Sequence, residues 1–361
     1  MTLVTGPLAH PAMLAALGLA GTPVVLQGKL AGGAEAGIVA GDWPQLVEGA
    51  GEVAALRVVP TPALHRYAEI MQATPRVLQG ETVLGLAADE HGAGQAADQP
   101  QSWPAADWPA ALAAGIAARL VALGPERPAQ AIRARLSRIG EWVAAQLRAA
   151  DEHPAPVGPA TEPRLEVLSR DEPYQHFFAV EHVRLVHRLN SGGLSVPLDR
   201  AVFVSGDATV VLPWDPLRDR VLLIDQFRAG PAVRGDREPW LYETVAGRID
   251  LNESPEDAAR REAYEEAGIA LRALVPGPHH YPSPGAMAEY LYLFIGIADL
   301  PDGVAGIGGL ASEGEDIRSH LVERATFLQM IRRGEIRNGP LLVLGLWLDA
   351  EAARLQAEYT G

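Results

Sequence analysis

The chain of 361 residues contains no cysteine, which excludes disulfides and thiolate-ligated zinc and leaves the redox compartment undecided. It has a single lysine, Lys29, against 29 arginines; with so much Ala, Gly and Pro, that bias reads as genomic base composition. Positive charge is in deficit, 30 Lys and Arg against 45 Asp and Glu, for a formal net charge of −15. No basic surplus exists to neutralise phosphates, so nucleic-acid and anionic-membrane partners are not expected. Long hydrophobic runs are missing as well: no uninterrupted stretch reaches the roughly 18 apolar residues that a membrane-crossing helix needs. The apolar first 25 residues lack Lys or Arg and are interrupted by His10-Pro11, so they do not read as a positively charged leader. The expectation is a cytoplasmic protein.

The length allows two domains, each with its own core. Residues 1–88 alternate short apolar runs (Val24 to Leu26, Val53 to Val59, Val83 to Leu86) with Gly and Pro, the pattern of a small mixed sheet. Residues 89–104 read as an exposed loop. Leu112, Ile116 and Leu120 predict an amphipathic helix over 106–123, and Leu136, Ile139, Val143 and Leu147 a second over 127–150. The run from Asp151 to Pro163, with four prolines, reads as a linker. The expected organisation is therefore a domain over 1–150, a linker over 151–164 and a second domain over 165–361. Strands are expected over 180–189, 209–213, 221–226 and 290–297, and helices over 254–267, 325–333 and 340–357. Strands and helices in that order fit an α+β protein with a mixed sheet sandwiched between helices.

What the chain has in excess is acid at fixed spacing. Gly247 is followed by Glu253 and then by Arg261-Glu262-Ala263-Tyr264-Glu265-Glu266-Ala267-Gly268-Ile269. Ser254 is a good N-cap, Pro255 suits the first helical position, and Gly268 is a natural stop. Glu262, Glu265 and Glu266 then fall at i, i+3 and i+4, on one face of the helix. Like charges there repel one another and cost stability unless a cation sits among them. Hard oxygen ligands at this density suit Mg²⁺ or Mn²⁺.

This spacing resembles the Nudix box, the metal-binding loop–helix–loop of hydrolases that cleave nucleoside diphosphates linked to another moiety. The resemblance narrows to the ADP-ribose pyrophosphatase branch through Arg184 to Leu189, Val221 to Arg228, Trp240 to Gly247, Ser283-Pro284-Gly285 with Glu289, and Glu313 to Ile317. It implies that the Ala246 carbonyl, Glu262 and Glu266 hold metal, with Glu265 able to join them and Glu315 as the distal ligand. Glu253 would pair with Arg261 to brace the loop, and Glu313 is the candidate general base. Arg228 would contact phosphate, since a guanidinium fork matches its oxygens. Phe177 and Arg200 align with positions that sandwich the adenine, and Glu289, with Ser283 and Gly285 nearby, would accept the terminal ribose. The branch also implies a homodimer in which Phe177 and Arg200 serve the partner's site. His187, His279, His280 and His320 show no ligand spacing to an acidic or histidine partner and read as structural.

Residues 1–88 resemble the gamma-glutamylcyclotransferase-like family. Thr5-Gly6-Pro7-Leu8 stands where that family has Tyr-Gly-Ser/Thr-Leu, Gly41 to Leu46 resembles its Gly-x-x-Tyr-Pro-x-Leu, and Glu69 aligns with its catalytic glutamate. Thr5 replaces the tyrosine and Pro7 removes a backbone donor, so this domain is expected to be silent as a cyclotransferase. The fusion resembles Nudix proteins linked to tellurite resistance. The reading implied is Mg²⁺-dependent hydrolysis of ADP-ribose to AMP and ribose 5-phosphate. Its rivals are hydrolysis of another nucleoside diphosphate sugar and non-catalytic sensing of ADP-ribose.

Overall fold

A computed structural model describes residues 1–78, 80–87, 103–104, 106–152, 164–309 and 314–360. The chain forms two compact units, Met1–Arg200 and Ala201–Gly361. The borders expected at 151 and 165 thus both fall inside the first unit, and most of the expected linker, 153–163, lies outside the described residues.

The first unit begins with β1 (Thr2–Thr5), α1 (Pro11–Ala16), β2 (Gly21–Ala31), β3 (Gln45–Val58), α2 (Pro62–Met71), β4 (Arg76–Leu78) and β5 (Glu81–Leu84). The five strands form one sheet in the order β2-β3-β1-β5-β4. It is mixed, because β1 pairs antiparallel with β3 and parallel with β5. A helical layer follows: α3 (Ala110–Ala122), α4 (Ala129–Arg133) and α5 (Leu136–Asp151). The helix expected over 127–150 is therefore broken at Ala134-Arg135. A Cβ at Gly115 would run into the Val143 side chain, so the missing side chain lets α3 and α5 approach closely.

The hairpin of β6 (Leu165–Gln175) and β7 (Ala179–His187) completes this unit. It is tied to the helical layer by charge: Arg119 of α3 reaches both Glu172 and Glu181, and Arg135 Nε donates to the His176 carbonyl at 2.8 Å. β6 was not visible in the sequence, because its residues are almost all exposed and show no sustained apolar alternation.

After β8 (Leu198–Val204), the second unit contains β9 (Ala208–Asp215), β10 (Arg220–Phe227), α6 (Ala229–Arg234), β11 (Trp240–Glu243) and β12 (Val245–Arg248). Next come α7 (Pro255–Ala267), β13 (Leu271–Pro276), β14 (Met287–Ala288), β15 (Leu291–Ala298), β16 (Ile307–Gly308), β17 (Ile317–Glu323), α8 (Arg324–Arg332) and α9 (Gly339–Tyr359). Its sheet runs β13-β15-β9-β10-β17-β16, with β11 added to β10 and β12 to β9. β9 and β15 are parallel and the other pairs antiparallel, the mixed sheet expected.

Strand alternation sorts the core into two layers. Val221, Leu223 and Leu293 pack with Phe327, Leu344 and Leu348 of α8 and α9. Leu222, Ile224 and Phe294 face Ala258, Ala259 and Ala263 of α7. The result is an α/β/α sandwich with α7 on one face of the sheet, against strands β9 and β12, and α8 and α9 on the other. No helix among the described residues is long and apolar enough to cross a membrane.

Candidate active site

Local chemistry sets α7. Ser254 Oγ accepts the Asp257 N–H at 3.0 Å, Pro255 opens the helix, and Gly268 closes it at φ +66°. Small residues on the buried side, Ala258, Ala259 and Ala263, bring the helix down onto the sheet, and its glutamates meet the backbone of β12. Glu266, only 3% exposed, accepts the Ala246 N–H at 3.1 Å. A Cβ at Gly247 would collide with the Glu262 carboxylate, which explains the glycine that opens the motif.

Arg261 organises the loop before the helix. Its Nε and Nη2 donate to the two oxygens of Glu253, each at 2.9 Å, and Nη2 also reaches the Arg248 carbonyl. Its Nη1 donates to Glu262 at 2.6 Å and to Glu265 at 3.0 Å. One guanidinium thus ties three carboxylates to one loop.

That single cation does not balance the acids. Burial pushes the Glu262 carboxyl up to about 7, and Glu265 and Glu315 add to the rise against the opposing pull of Arg261. Glu266 stands well above the usual carboxylate range, chiefly through burial, with Glu262 and Glu315 adding to it against the Ala246 N–H. Glu315 therefore shares the field of both helix glutamates. Arg228 belongs to the same cluster: burial works against its charge, but Glu243, Glu266 and Glu315 keep it protonated. Its Nε and Nη2 donate to the buried Glu243 at 3.0 and 2.7 Å.

The acceptor set suits a hard divalent cation. Among the described residues no group of three or more His, Asp or Glu side chains is so placed that it could hold a metal ion as it stands. What they do provide is a carboxylate pair that is costly to ionise, the buried Glu266 and the half-buried Glu262, with Glu315 in the field of both and Glu265 in that of Glu262. A cation there relieves the repulsion, and Glu262, Glu265, Glu266 and Glu315 are the groups that would hold it. Glu313 lies outside the described residues.

Beyond this cluster, Glu289 accepts the Ser205 hydroxyl at 2.8 Å, and Arg248 donates to the Ser205 carbonyl at 2.6 Å. Burial raises the Glu289 carboxyl, against the Ser205 hydrogen bond and Arg248. The Ser283 carbonyl closes an exposed turn by accepting the Ala286 and Met287 N–H groups, and Gly285 lies on that turn. Phe177 and Arg200 belong to the first unit. Phe177 sits in the turn of the β6–β7 hairpin and is 55% exposed, with the Arg138 guanidinium over its ring. Arg200 is exposed and donates to the Asp199 carbonyl.

Sequence reasoning missed Glu243, Ser205 and Arg248, because each meets its partner through strand pairing or a distant loop. It also gave no sign of the partner of His320, whose Nε2 lies 2.5 Å from Asp225 on the neighbouring strand. The two are 95 positions apart, so no linear spacing could show the pair. His320 pairs across the strands with Leu223, and Asp225 alternates with it, which puts both on the face opposite α7. His279 Nδ1 accepts the Leu293 N–H at 2.9 Å, a structural role.

The NUDIX domain model matches residues 205–337, which contain α7 and its carboxylates. The ADP-ribose pyrophosphatase of Escherichia coli (strain K12) is 40% identical over 195 residues, 54% of this chain and 92% of that protein. The ADP-ribose pyrophosphatase of Haemophilus influenzae is 38% identical over 198 residues, 54% of this chain and 90% of that protein. A GDP-mannose pyrophosphatase of Enterobacter sp. (strain 638) is 36% identical over 150 residues, 42% of this chain and 77% of that protein. With relatives of this identity matched over most of their own length, the chain belongs to the NUDIX family of hydrolases.

Proposed function

We propose that the chain is a Mg²⁺-dependent pyrophosphohydrolase that cleaves ADP-ribose to AMP and ribose 5-phosphate. The observation that carries this reading is the mutually repelling pair of half-buried Glu262 and buried Glu266, docked on β12 with Arg228 in the field of Glu266. The two relatives called ADP-ribose pyrophosphatase support the choice of substrate. When bound, a divalent cation draws negative charge from the pyrophosphate. Glu262, Glu266, Glu265, Glu315 and the Ala246 carbonyl would hold it. Because the Glu262 carboxyl is pushed up to about 7, it would have to give up its proton to serve as a ligand.

Arg228, steadied by Glu243, presents its guanidinium to a phosphate. Glu289, oriented by Ser205, accepts hydrogen bonds from the terminal ribose beside the Ser283–Gly285 turn. Glu313 takes the proton of the attacking water. Phe177 and Arg200 serve the adenine, and in a two-fold homodimer they serve the partner's substrate. A monomer in sedimentation at micromolar concentration with full activity would contradict the dimer.

A turnover panel of ADP-ribose, GDP-mannose and UDP-sugars with Mg²⁺ tests the substrate. ADP-ribose should be preferred. Equal or faster turnover of GDP-mannose would favour the second reading, which the Enterobacter relative supports. Turnover of none, with ADP-ribose still bound, would favour a sensor.

The N-terminal sheet we propose to be silent as a cyclotransferase. Glu69 is largely exposed and paired with Arg66 at 2.9 Å. It borders a cavity with His65, Gln72 and Pro75, whereas Gly6 borders a different one with His10, Lys29 and Trp103. Release of 5-oxoproline from gamma-glutamyl compounds, abolished by Glu69→Gln, would overturn this.

A further inference from the structure

The tip of the β6–β7 hairpin is held by the first turn of α5. Arg135, just before that helix, donates from Nε to the His176 carbonyl at 2.8 Å and from Nη1 to the Gln175 side chain at 2.7 Å. One turn on, the Arg138 guanidinium lies 4.4 Å from the centroid of the Phe177 ring. Arg138 is itself fixed, since its Nη1 donates at 2.7 Å to Glu141, a carboxylate only 5% exposed that also accepts the Ser137 hydroxyl. Backbone, flanking side chain and ring of the turn are all gripped by one helix end, and Phe177 is still 55% exposed.

An exposed aromatic on a hairpin turn ordinarily samples several rotamers and gives up that freedom when a ligand orders it. Here the cation over the ring selects one orientation in advance. It also draws π-electron density toward one face, which favours an electron-rich purine against the ring.

We propose that Arg138 is a positioning residue for substrate, contributed by the helical layer of the first unit, which pre-orients Phe177 as the stacking platform for the adenine. This rests on the proposed role of Phe177 in nucleotide binding. The layer thereby takes part in the reaction by setting the affinity for the base, with no part in bond cleavage.

The test is a double-mutant cycle in the full-length chain: Phe177→Ala, Arg138→Ala, Arg138→Lys and the double Ala variant. Each is assayed for KM and kcat with ADP-ribose, and AMP binding is measured by calorimetry. Phe177→Ala should raise KM by about 5- to 100-fold, the span of lost base–aromatic stacking. Arg138→Ala should raise it by about 2- to 5-fold at unchanged kcat, and Arg138→Lys should recover part of the loss. In the Phe177→Ala background, Arg138→Ala should add nothing, because it acts through the ring. If Phe177→Ala raises KM and Arg138→Ala does not, the inference fails while the adenine reading stands. If Phe177→Ala leaves KM and AMP binding unchanged, the adenine reading of Phe177 fails first. Equal effects of Arg138→Ala with and without Phe177, or a fall in kcat that tracks a lower thermal midpoint, would reduce Arg138 to a structural role.

Discussion

The molecule buries acid in two places and treats it in opposite ways. In the first unit, Glu172 and Glu181 are both met by Arg119, with Arg170 also reaching Glu181 and Arg127 the Glu172 carbonyl. In the second, Glu315 acts on both Glu262 and Glu266 and Glu265 on Glu262, while Arg261 already serves Glu253, Glu262 and Glu265 and Arg228, bonded to Glu243, only partly offsets Glu266. The first arrangement balances its charge within the protein and fastens a hairpin to a helical layer. The second leaves carboxyls without enough counter-charge at a helix face, so that they hold protons at the pH where free carboxylates have lost them. Buried carboxylate is therefore not the mark of a site; buried carboxylate without its counter-charge is.

If that contrast is right, its largest expression is in catalysis. Glu262→Gln and Glu266→Gln should each abolish metal-dependent turnover while the metal-free protein keeps its fold by circular dichroism. Each amide keeps the shape and removes the charge proposed to hold the cation. Substantial activity in either variant would mean that the excess charge at α7 does something other than hold metal. Next in size, Glu313→Gln should cost about 10²–10⁴ in kcat, the usual span for a lost general base, and leave ADP-ribose binding intact. Near-normal turnover would move the base to Glu315 or Asp316.

On the balanced side, the expectation concerns stability. Arg119→Ala strands two buried carboxylates and should cost about 3–5 kcal/mol in urea unfolding, the usual penalty for breaking a buried pair. A loss below about 1 kcal/mol, the value of a surface pair, would show that water or Arg127 and Arg170 compensate and that the two regions differ less than they look.

The same contrast explains what could be read from the sequence. The helix of the site was legible because everything that defines it is local: Ser254, Pro255 and Gly268 as caps, the alanine face, and Glu253 eight positions from Arg261. Glu243 under Arg228, Ser205 under Glu289 and Asp225 beside His320 were not, since each pair is closed by strand pairing or loop return. The division of the chain was hidden for a related reason. Composition marks 151–163 as a break, yet the charged hairpin beyond it packs against α3 and α5 through Arg119 and Arg135, contacts that no window of sequence displays.

The finest test of the contrast is the pH dependence of the metal-free protein. The folded-state value for Glu262 is raised from 4.5 to about 7, so the native state holds a proton that the unfolded chain releases. Its contribution is therefore fully present below about pH 4.5 and is lost as pH rises toward 7 and beyond. The shift corresponds to a loss of up to about 3 kcal/mol, and the raised Glu266 acts in the same direction. In EDTA, wild-type stability should fall between pH 4.5 and 7.5 relative to Glu262→Gln, whose amide cannot titrate, and Mg²⁺ should restore the wild type most at the upper end. Parallel curves for the two proteins would mean that Arg261 already neutralises Glu262. The charge at α7 would then be as balanced as that around Arg119, and the distinction between the two buried clusters would fail where it is most directly measured.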